Sequence, residues 1–396
     1  MPIIEILRSH GKWCVGMTEK QLDIGIITFP ISEAGTIPLS NLINVLCPLS
    51  NELHVVTGGA GYTSFVENKN VHIHGVEHKA GARNVFARAI NYVWTQSRML
   101  CKLIKLKKEV DLWLFFVGAE GLVLPMLTAK LLGRGVIIAS AGSGLKVAQA
   151  QRDRLAKILS LLQSITYRLS DRIIMYSERL IEEHGLQKYR RKIQIAPRHF
   201  LDFNRFKITR RLGERDDCVG YIGALSKVKG VSNFLEAIPK ALEQKNKLEF
   251  LIGGSGQLQG EIEVYLGNQG LNRKVKLLGW IPHDELPNYL NDLKLLVLPS
   301  YTEGLPNIIL EAMACGTIVL ATAVGAIPDV IKDGETGFVM EDNSPECIAS
   351  NIIKALNHPN LEQITKNART LIETEFTYEK AVERYRKILS ELPARN

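Results

Sequence analysis

The segment 294–321 restricts the possible folds of this chain most strongly, because it reads as a strand, a turn, a helix and a second strand. Its two apolar runs, Lys-Leu-Leu-Val-Leu and Ile-Val-Leu-Ala, are typical of short buried strands. Between them, Pro306 suits the first helical position and Gly316 suits the left-handed residue after a helix, so we expect a helix over residues 306–315. Such a unit predicts an α/β protein with a parallel sheet.

The predicted helix is almost wholly apolar. Asn307 and Glu311 are its polar residues, and their i, i+4 spacing puts both on one face. A helix with so small a polar face is buried on most sides. Its N-terminus lies at the carboxyl edge of the sheet, where free N–H groups bind phosphates. The alternative is that Glu311 is an incidental surface charge and that Glu303 only favours the helix dipole.

The residues around this helix start can bind a nucleotide sugar. We expect its diphosphate to lie against the backbone of the loop and first turn, formed by Gly304, Leu305, Pro306, Asn307 and Ile308. Glu303 can reach the sugar hydroxyls from the loop. Glu311, one turn inside the helix, can accept both hydroxyls of a ribose because a carboxylate has two acceptor oxygens.

Two segments, 300–316 and 325–337, resemble family 4 of the retaining glycosyltransferases, which have the GT-B fold. The first carries a Glu-x7-Glu pattern followed by Ala-Met-Ala-Cys-Gly, and the second reads Gly-Ala-Ile-Pro-Asp-Val-Ile-Lys-Asp-Gly-Glu-Thr-Gly. The match is specific over about residues 218–345 and weakens towards the N-terminus. It implies two Rossmann-like domains facing across a cleft, and sugar transfer from a nucleotide diphosphate donor with retention. It also implies an active site without a metal or another cofactor.

Upstream segments add to the expected donor site. Residues 218–223 read as a strand that runs into Gly223, and residues 226–230 open a helix. Lys229 lies where the resemblance implies a cation that clamps the diphosphate; the alternative is an ordinary solvated lysine. Family members usually have an arginine directly after the first glycine of this turn, and here that residue is Ala224. Lys227 is a possible substitute for the missing cation.

Two further strands complete this half of the chain. Residues 250–256 read as a strand that ends in a glycine-rich turn containing Gly254, and residues 275–282 read as the next strand. In similar proteins the residues after the glycine of that next strand lie against the nucleobase. Trp280 and Ile281 are therefore candidate base contacts, and a core position for Trp280 is the alternative.

The length of 396 residues exceeds the usual limit of about 250–300 for a single core, so two domains are expected. We place an acceptor-binding domain at 1–205, a donor-binding domain at 206–375 and a final helix, capped by Thr377, at 376–396. The resemblance implies that this last helix packs back on the first domain. Composition agrees with a globular enzyme, since 46% of the residues are hydrophobic and 23% are charged.

The N-terminal half also predicts a parallel layer of strands and helices. An apolar helix is expected at 39–47, and the expected strands are 22–29, 53–58, 71–74, 111–117 and 135–140. In similar enzymes the glycine of the loop after the first strand, here Gly35, lets backbone approach the donor and acceptor. Family members often carry a histidine after one of the last two strands, but residues 117–121 and 140–144 contain none.

Two polar residues are therefore candidates for acceptor contact, Glu120 and Ser143. Glu120 has the alternative of capping the following helix. His72, His74 and His78 lie near another strand end, but a histidine cluster on a half-buried strand more often serves packing, and we assign it no role.

Charge is distributed unequally between the two halves. Residues 1–200 hold 26 Lys and Arg against 15 Asp and Glu, a net charge of +11, whereas residues 201–396 hold 23 against 26, a net charge of −3. The cations concentrate in segments 98–108 and 152–192, where they alternate with apolar residues. This pattern suits an anionic membrane surface or a phosphate-bearing acceptor. Ordinary solvated helix faces are the alternative.

Several classes of protein are disfavoured by the sequence. No apolar stretch reaches about 18 residues and the N-terminus lacks a secretory pattern, so we expect a cytoplasmic protein, with peripheral contact to the inner face of a membrane as an option. The six cysteines are scattered without a paired motif, which favours reduced thiols. A nicotinamide-dependent oxidoreductase lacks its glycine fingerprint, and a nucleic-acid-binding protein lacks aromatic residues interleaved with the cations.

The sequence as a whole, with its family resemblance, predicts a hexosyltransferase-type enzyme. Its expected donor is a nucleotide sugar, and its expected acceptor is a hydroxyl of a glycan or lipid-linked molecule in cell-surface polysaccharide or glycoconjugate synthesis. Glu303 and Lys229 are the expected catalytic residues. The rival is a non-catalytic nucleotide-sugar-binding subunit, which Ala224 and the missing histidine favour.

Overall fold

A computed structural model describes residues 22–64, 70–78, 85–140, 145 and 156–391. The chain divides into two compact units. The N-terminal unit comprises Met1–Arg198 together with Ala381–Asn396, and the C-terminal unit comprises His199–Lys380.

Seven parallel strands form the sheet of the N-terminal unit. They are β1 (Leu22–Ile27), β2 (Ser50–Thr57), β3 (Val71–Gly75), β4 (Leu112–Phe115), β5 (Gly135–Ala139), β6 (Arg172–Met175) and β7 (Ile193–Ile195). The helices found among the described residues before Arg198 are α1 (Thr36–Leu46), α2 (Ala60–Thr63), α3 (Val85–Lys105), α4 (Val123–Leu131), α5 (Ala156–Leu169) and α6 (Glu178–Glu183).

The strand order of this sheet is β3-β2-β1-β4-β5-β6-β7. Strands β2 and β3 are therefore added on one side of β1. The chain then crosses back, and β4 to β7 are added in order on the other side of β1. Since crossovers between parallel strands are right-handed, the helices α3, α4 and α5 all cover the same face of the sheet. The strands are buried because helices cover their side chains, which explains their near-continuous apolar sequences.

A six-stranded parallel sheet forms the core of the C-terminal unit. Its strands are β8 (Cys218–Ile222), β9 (Glu249–Gly253), β10 (Val275–Gly279), β11 (Leu295–Leu298), β12 (Ile318–Thr322) and β13 (Phe338–Met340). Its helices are α7 (Val231–Gln244), α8 (Gln259–Asn268), α9 (Leu286–Asp292), α10 (Asn307–Ala314), α11 (Ile327–Val330), α12 (Pro345–Leu356) and α13 (Leu361–Glu375).

The expected secondary structure is present wherever the chain is described. The predicted strands lie within three residues of the observed ends, whereas the sequence patterns predicted neither β6, β7 nor β13. The final helix, α14 (Tyr378–Ser390), begins after the predicted cap, since the Lys380 N–H donates to Thr377 Oγ1 at 3.2 Å. Two parallel-sheet Rossmann-like units confirm the predicted α/β fold class.

Candidate functional site

The candidate site lies where the strand order of the C-terminal sheet reverses. That order is β10-β9-β8-β11-β12-β13, so β8 and β11 are neighbours from which the chain proceeds in opposite directions. Loops that follow two such strands diverge to opposite faces and leave a crevice at the carboxyl edge of the sheet. The loop after β8 carries Lys229 and the loop after β11 carries Glu303. The topology therefore brings together two residues that are 74 positions apart.

Lys229 and Glu303 form an ion pair at this crevice. Lys229 Nζ donates to both carboxylate oxygens of Glu303, at 2.6 and 2.7 Å, and Ser300 Oγ donates to Glu303 Oε1 at 2.8 Å. The carboxylate side chain is nearly buried, whereas the lysine side chain is one-third exposed. Glu303 is therefore a partner of Lys229, rather than a charge that only favours the helix dipole. The lysine remains open to a second anion from solvent.

Backbone contacts hold the two loops in this arrangement. The Tyr301 N–H donates to the Val228 carbonyl at 2.9 Å. Gly230 has a left-handed conformation (φ 70°), and a Cβ there would lie 2.0 Å from the Pro299 carbonyl oxygen. Gly325 likewise has φ 61°, and its Cβ would lie 2.3 Å from the Glu303 carbonyl oxygen. Glycine is required at both positions because the neighbouring backbone passes too close for any side chain.

Helix α10 begins beside the ion pair and is shorter than predicted. Pro306 has an extended ψ of 125° and is the N-cap residue, not the first helical residue, and Cys315 is the C-cap. The reason is that a residue with extended ψ cannot start the helical turn, although its carbonyl accepts the first bond. Because proline has no side-chain oxygen, no side chain caps this N-terminus. The Ile309 N–H donates to the Pro306 carbonyl at 3.2 Å. The N–H groups of Asn307 and Ile308 precede this first bond and point out of the helix start.

Glu311 is buried within α10. The residue is 5% exposed, so it is not a surface charge. Its Oε1 accepts a hydrogen bond from His283 Nε2 at 2.8 Å, and the His283 ring packs at 5.4 Å from the ring of Phe206. The sequence analysis missed His283 because the residue lies in the loop after β10, 28 positions before its partner. One feature of the sequence could have indicated His283: it lies three residues after Trp280, in the loop at the same edge of the sheet.

Two arginines at the other end of α10 were also missed. Arg215 is 3% exposed and donates from Nη2 to the Cys315 carbonyl at 2.7 Å and from Nη1 to Thr317 Oγ1 at 3.1 Å. Arg369 Nη1 donates to the Ala314 carbonyl. Burial lowers the pKa of Arg215 to about 10, which leaves it charged at neutral pH. Both cations lie at the negative end of the helix dipole and fix the helix that carries Glu311.

The glycine turns of three neighbouring strands form the remaining part of the site. The Gly223 N–H donates to the Gly253 carbonyl at 3.0 Å, and the Gly254 N–H donates to the Gly279 carbonyl at 2.6 Å. Trp280 follows directly and is 57% exposed, so the alternative of a core tryptophan is wrong. Ile281 is half-buried, with Cδ1 2.4 Å from the position that a Cβ on Gly253 would take. These turns offer one exposed indole and one aliphatic side chain at the edge of the sheet.

The loop after β8 contains a second lysine that differs from the first. Lys227 and Ala224 are both exposed, whereas Lys229 is bound to Glu303. A 3₁₀ turn, Lys227–Lys229, separates this loop from α7, so the helix expected from residue 226 begins at Val231.

The candidate residues of the N-terminal unit do not form a comparable cluster. Gly35 precedes α1 at the end of the loop after β1, and a Cβ there would lie 2.9 Å from Ile31 Cβ. Glu120 accepts a hydrogen bond from the Tyr167 hydroxyl at 2.7 Å and caps no helix, because α4 has Leu122 as its N-cap and no side-chain cap bond. Ser143 lies outside the described residues.

The histidines on β3 and in the loop after it each contact a neighbouring side chain. His74 Nε2 lies 3.1 Å from Nδ1 of His54 on the neighbouring strand, and His72 Nε2 lies 2.9 Å from Glu52 Oε2. His78 Nδ1 lies 2.8 Å from Thr95 Oγ1.

Comparison with known proteins gives the family of the C-terminal unit. Residues 202–371 match the family described as "Glycosyl transferases group 1". An uncharacterized glycosyltransferase of Methanocaldococcus jannaschii is 26% identical over 92% of this chain and 97% of its own length. The N-acetyl-alpha-D-glucosaminyl L-malate synthase of Bacillus anthracis is 24% identical over 93% of this chain and 96% of its own.

Solved structures agree on the fold. Anabaena HepE in complex with UDP and glucose has a TM-score of 0.71 at 16% identity, covering 94% of this chain and all of that one. Sucrose-phosphate synthase from Thermosynechococcus elongatus has a TM-score of 0.73 at 19% identity, covering 93% and 99%. Residues 202–371 of this chain are therefore similar to the glycosyl transferases group 1, and the chain has the GT-B fold.

Proposed function

We propose that this protein is a retaining, metal-independent glycosyltransferase that moves a sugar from a nucleotide diphosphate donor to a hydroxyl acceptor. The observation that carries the proposal is the Lys229–Glu303 ion pair, which lies at the strand-order reversal beside a helix start that no side chain caps. That combination offers a cation and free N–H groups to a diphosphate and a carboxylate to a sugar. Similarity to structures with UDP bound supports a nucleotide-sugar donor.

Each donor group has a proposed partner. The diphosphate binds Lys229 and the backbone from Gly304 to Ile308. The ribose hydroxyls bind Glu311, whose second carboxylate oxygen and the oxygen now held by His283 are both acceptors. Trp280 and Ile281 contact the base, with the glycine turns at Gly223 and Gly254 allowing close approach.

The reaction exchanges one carbon–oxygen bond for another and transfers one proton. The bond between the anomeric carbon and the β-phosphate oxygen breaks, and the acceptor hydroxyl oxygen bonds to the same carbon on the same face. The leaving phosphate takes the hydroxyl proton, so the products are the glycoside and a nucleoside diphosphate. Because charge accumulates on the leaving diphosphate, Lys229 and the α10 N–H groups stabilise the transition state more than the ground state. Glu303 holds the sugar hydroxyls during transfer.

The proposed acceptor is a glycan or lipid-linked hydroxyl in cell-surface polysaccharide or glycoconjugate synthesis, bound by the N-terminal unit. That unit is the basic half of the chain, with a net charge of +11 over residues 1–200, which suits a phosphate-bearing acceptor. Gly35 is the described candidate for backbone approach to the acceptor in this unit, whereas Glu120 is bound to Tyr167.

A second candidate function is a non-catalytic subunit that binds nucleotide sugars. Ala224 favours it, because an exposed alanine stands where related enzymes carry a second diphosphate cation. This rival predicts donor binding without turnover.

Purified full-length protein with labelled donor and a total lipid extract separates the two functions. Labelled glycoside with retained anomeric configuration, formed equally with and without a metal chelator, supports the proposal, whereas binding without product supports the rival. A panel of UDP- and GDP-sugars in a thermal shift assay identifies the donor first, since a ligand at 100 times its dissociation constant adds about 2.7 kcal/mol. If Glu311→Ala kept full transfer activity and donor affinity, the assignment of the donor site would fail.

A further inference from the structure

The N-terminal unit exposes an apolar surface on the helices that cover one face of its sheet. Of the fifteen exposed large hydrophobic side chains among the described residues, nine lie on α3, α4 and α5. Soluble monomers rarely expose a contiguous apolar surface larger than a few hundred Å², and such surfaces mark interaction sites. The concentration on three helices therefore requires a partner.

The apolar side chains of α3 form a stripe along its solvent face. This 21-residue helix buries Gln96, Met99 and Leu103 against the unit, so the opposite side is the one that faces solvent. That solvent side carries Phe86, Ile90, Val93, Trp94 and Ile104, with Phe86 76% exposed. An ordinary surface helix would present charged residues there.

The neighbouring helices extend the same surface. Helix α4 packs against both α3 and α5, so the three lie side by side. Leu127 and Leu131 are exposed one turn apart on α4, and Ile158 and Leu161 are exposed on α5. Leu131 is 79% exposed. The surface therefore spans three adjacent helices.

The charges around this surface are almost all positive. None of the three helices contains an aspartate or glutamate. Lys102, Lys105, Lys107 and Lys108 follow one another at and beyond the C-terminal end of α3. Acidic residues face the surface from other elements: Glu77 pairs with Arg98, Asp171 pairs with Lys130, and Glu109 follows the lysine cluster.

We propose that the exposed faces of α3, α4 and α5 bind the surface of an anionic lipid bilayer. Aromatic and aliphatic side chains insert at the boundary between headgroups and acyl chains, while flanking lysines attract anionic headgroups. The guanidinium of Arg98 lies over the Trp94 ring at 5.1 Å, so it places a positive charge next to an inserting indole. A soluble protein partner explains the apolar stripe, but a surface free of acids across three helices matches anionic headgroups better.

The contact is peripheral. No described helix is long and apolar enough to cross a membrane. The inference concerns the N-terminal unit and is independent of the proposed transfer reaction, whose donor residues all lie in the C-terminal unit.

Vesicle sedimentation of the full chain tests the surface. We expect binding to phosphatidylcholine vesicles that contain phosphatidylglycerol to exceed binding to pure phosphatidylcholine at least fivefold. Ile90→Glu should lower binding about tenfold, because it puts a charge at the centre of the apolar stripe. Val264→Glu is the matched control: Val264 is an exposed aliphatic residue of the C-terminal unit and its variant should bind like the wild type.

A second pair of variants tests the attraction between the lysines and the anionic headgroups. Lys105→Gln combined with Lys108→Gln should lower binding to the anionic vesicles by about 25-fold, since each lysine near such a surface contributes about fivefold. Lys354→Gln combined with Lys366→Gln, two exposed lysines of the C-terminal unit, is the control. Equal thermal midpoints of all variants show that they fold, and nucleotide binding measured on the same samples reports the donor site separately.

Three outcomes overturn the proposal. One is equal binding to neutral and anionic vesicles, and another is unchanged vesicle binding by Ile90→Glu. The third is a dimer without lipid that Ile90→Glu dissociates, because the surface then belongs to an interface between two copies of the chain.

Discussion

Two glutamates occupy the same topological position in the two units, and their surroundings differ. Glu120 lies five residues after the end of β4, and Glu303 lies five residues after the end of β11. Both strands are the first beyond the strand-order reversal of their sheet. Glu303 is paired with a lysine, whereas Glu120 accepts from the phenol of Tyr167. Burial and the Glu120 carboxylate raise the pKa of Tyr167, so the phenol stays neutral.

The difference between the two positions arises in the loop of the neighbouring strand. The loop after β8 brings Lys229, but residues 28–35 after β1 contain neither lysine nor arginine. A diphosphate needs a cation at this edge of the sheet. The comparison thus teaches that a shared fold does not give both units the same polar groups at this edge, and that the cation beside the carboxylate distinguishes them.

The largest expected effect tests the two glutamates directly. Glu303→Gln should lower kcat/KM for transfer by about 10²–10³-fold, because the sugar loses a carboxylate contact that strengthens in the transition state. Glu120→Gln keeps a side-chain acceptor for Tyr167 and should change kcat/KM by less than about threefold. Initial rates with the donor and acceptor found in the transfer assay measure both. Comparable losses in the two variants would break the comparison.

A smaller effect is expected when the lysine is removed. Lys229→Met should lower kcat by about 10–100-fold and weaken nucleoside diphosphate binding by about tenfold, because the diphosphate loses its cation. Lys227→Met is the matched control, since this exposed lysine lies two residues away. Isothermal titration with the nucleoside diphosphate and steady-state rates measure the two quantities. Equal losses in both variants would show that Lys227 shares the clamp.

A third and smaller effect concerns His283. In His283→Ala the nearly buried Glu311 carboxylate loses a donor, which should cost about 1–2 kcal/mol and lower the thermal midpoint by a few degrees. Bound nucleotide then supplies ribose hydroxyls in its place. We therefore expect saturating nucleoside diphosphate to raise the midpoint more in the variant than in the wild type. Asp284→Asn, which loses only the exposed pair with Arg205, should leave that increment unchanged. An equal increment in His283→Ala and wild type contradicts a ribose role for Glu311.

The sequence predicted the C-terminal unit well because its signals are local. A buried strand, a helix start and a glycine stop lie within segment 294–321, and this spacing alone predicted the buried helix α10 and the left-handed Gly316. Partners far apart in sequence were not predictable. The ion pair between Lys229 and Glu303 and the buried Arg215 depend on which strands are neighbours, and apolar periodicity does not determine strand order.

The N-terminal unit was less predictable for a different physical reason. Its strands were visible as apolar runs, but the role of Glu120 depends on Tyr167 in a helix 47 residues away. The sequence shows that cations and apolar residues alternate in segments 98–108 and 152–192, but it does not show whether the apolar residues are buried or exposed. Only burial shows that α3 turns Phe86 and Trp94 outward, because apolar and polar residues occur together around this helix and the sequence does not tell which face is covered.

The smallest expected effect is a pH dependence confined to the N-terminal unit. His54 and His74 stack on neighbouring strands, and burial together with the positive charge on His54 lowers the pKa of His74 to about 4. Lys102 and His72 also contribute to this lowering of the His74 pKa, while Glu109 opposes it. The unfolded chain binds the proton with a pKa of about 6.5, so in the window between these values the unfolded state binds more protons. The contribution of neutral His74 to the free energy of unfolding is therefore fully present above about pH 6.5 and is lost as the pH falls towards 4.

Hydrogen exchange at pH 7 and pH 5 measures this loss strand by strand. After correction for the intrinsic exchange rate, β2 and β3 should lose about 1 kcal/mol of opening free energy at pH 5, a value reduced for the half-exposed ring. Strands β8 and β9 should lose much less, because their unit has no such histidine pair among its described residues. His74→Gln should remove most of the loss in β2 and β3. If His74→Gln does not reduce the loss of opening free energy in β2 and β3, groups other than this histidine pair destabilise the N-terminal unit in acid. The two units would then differ in their overall charge rather than in one buried histidine pair.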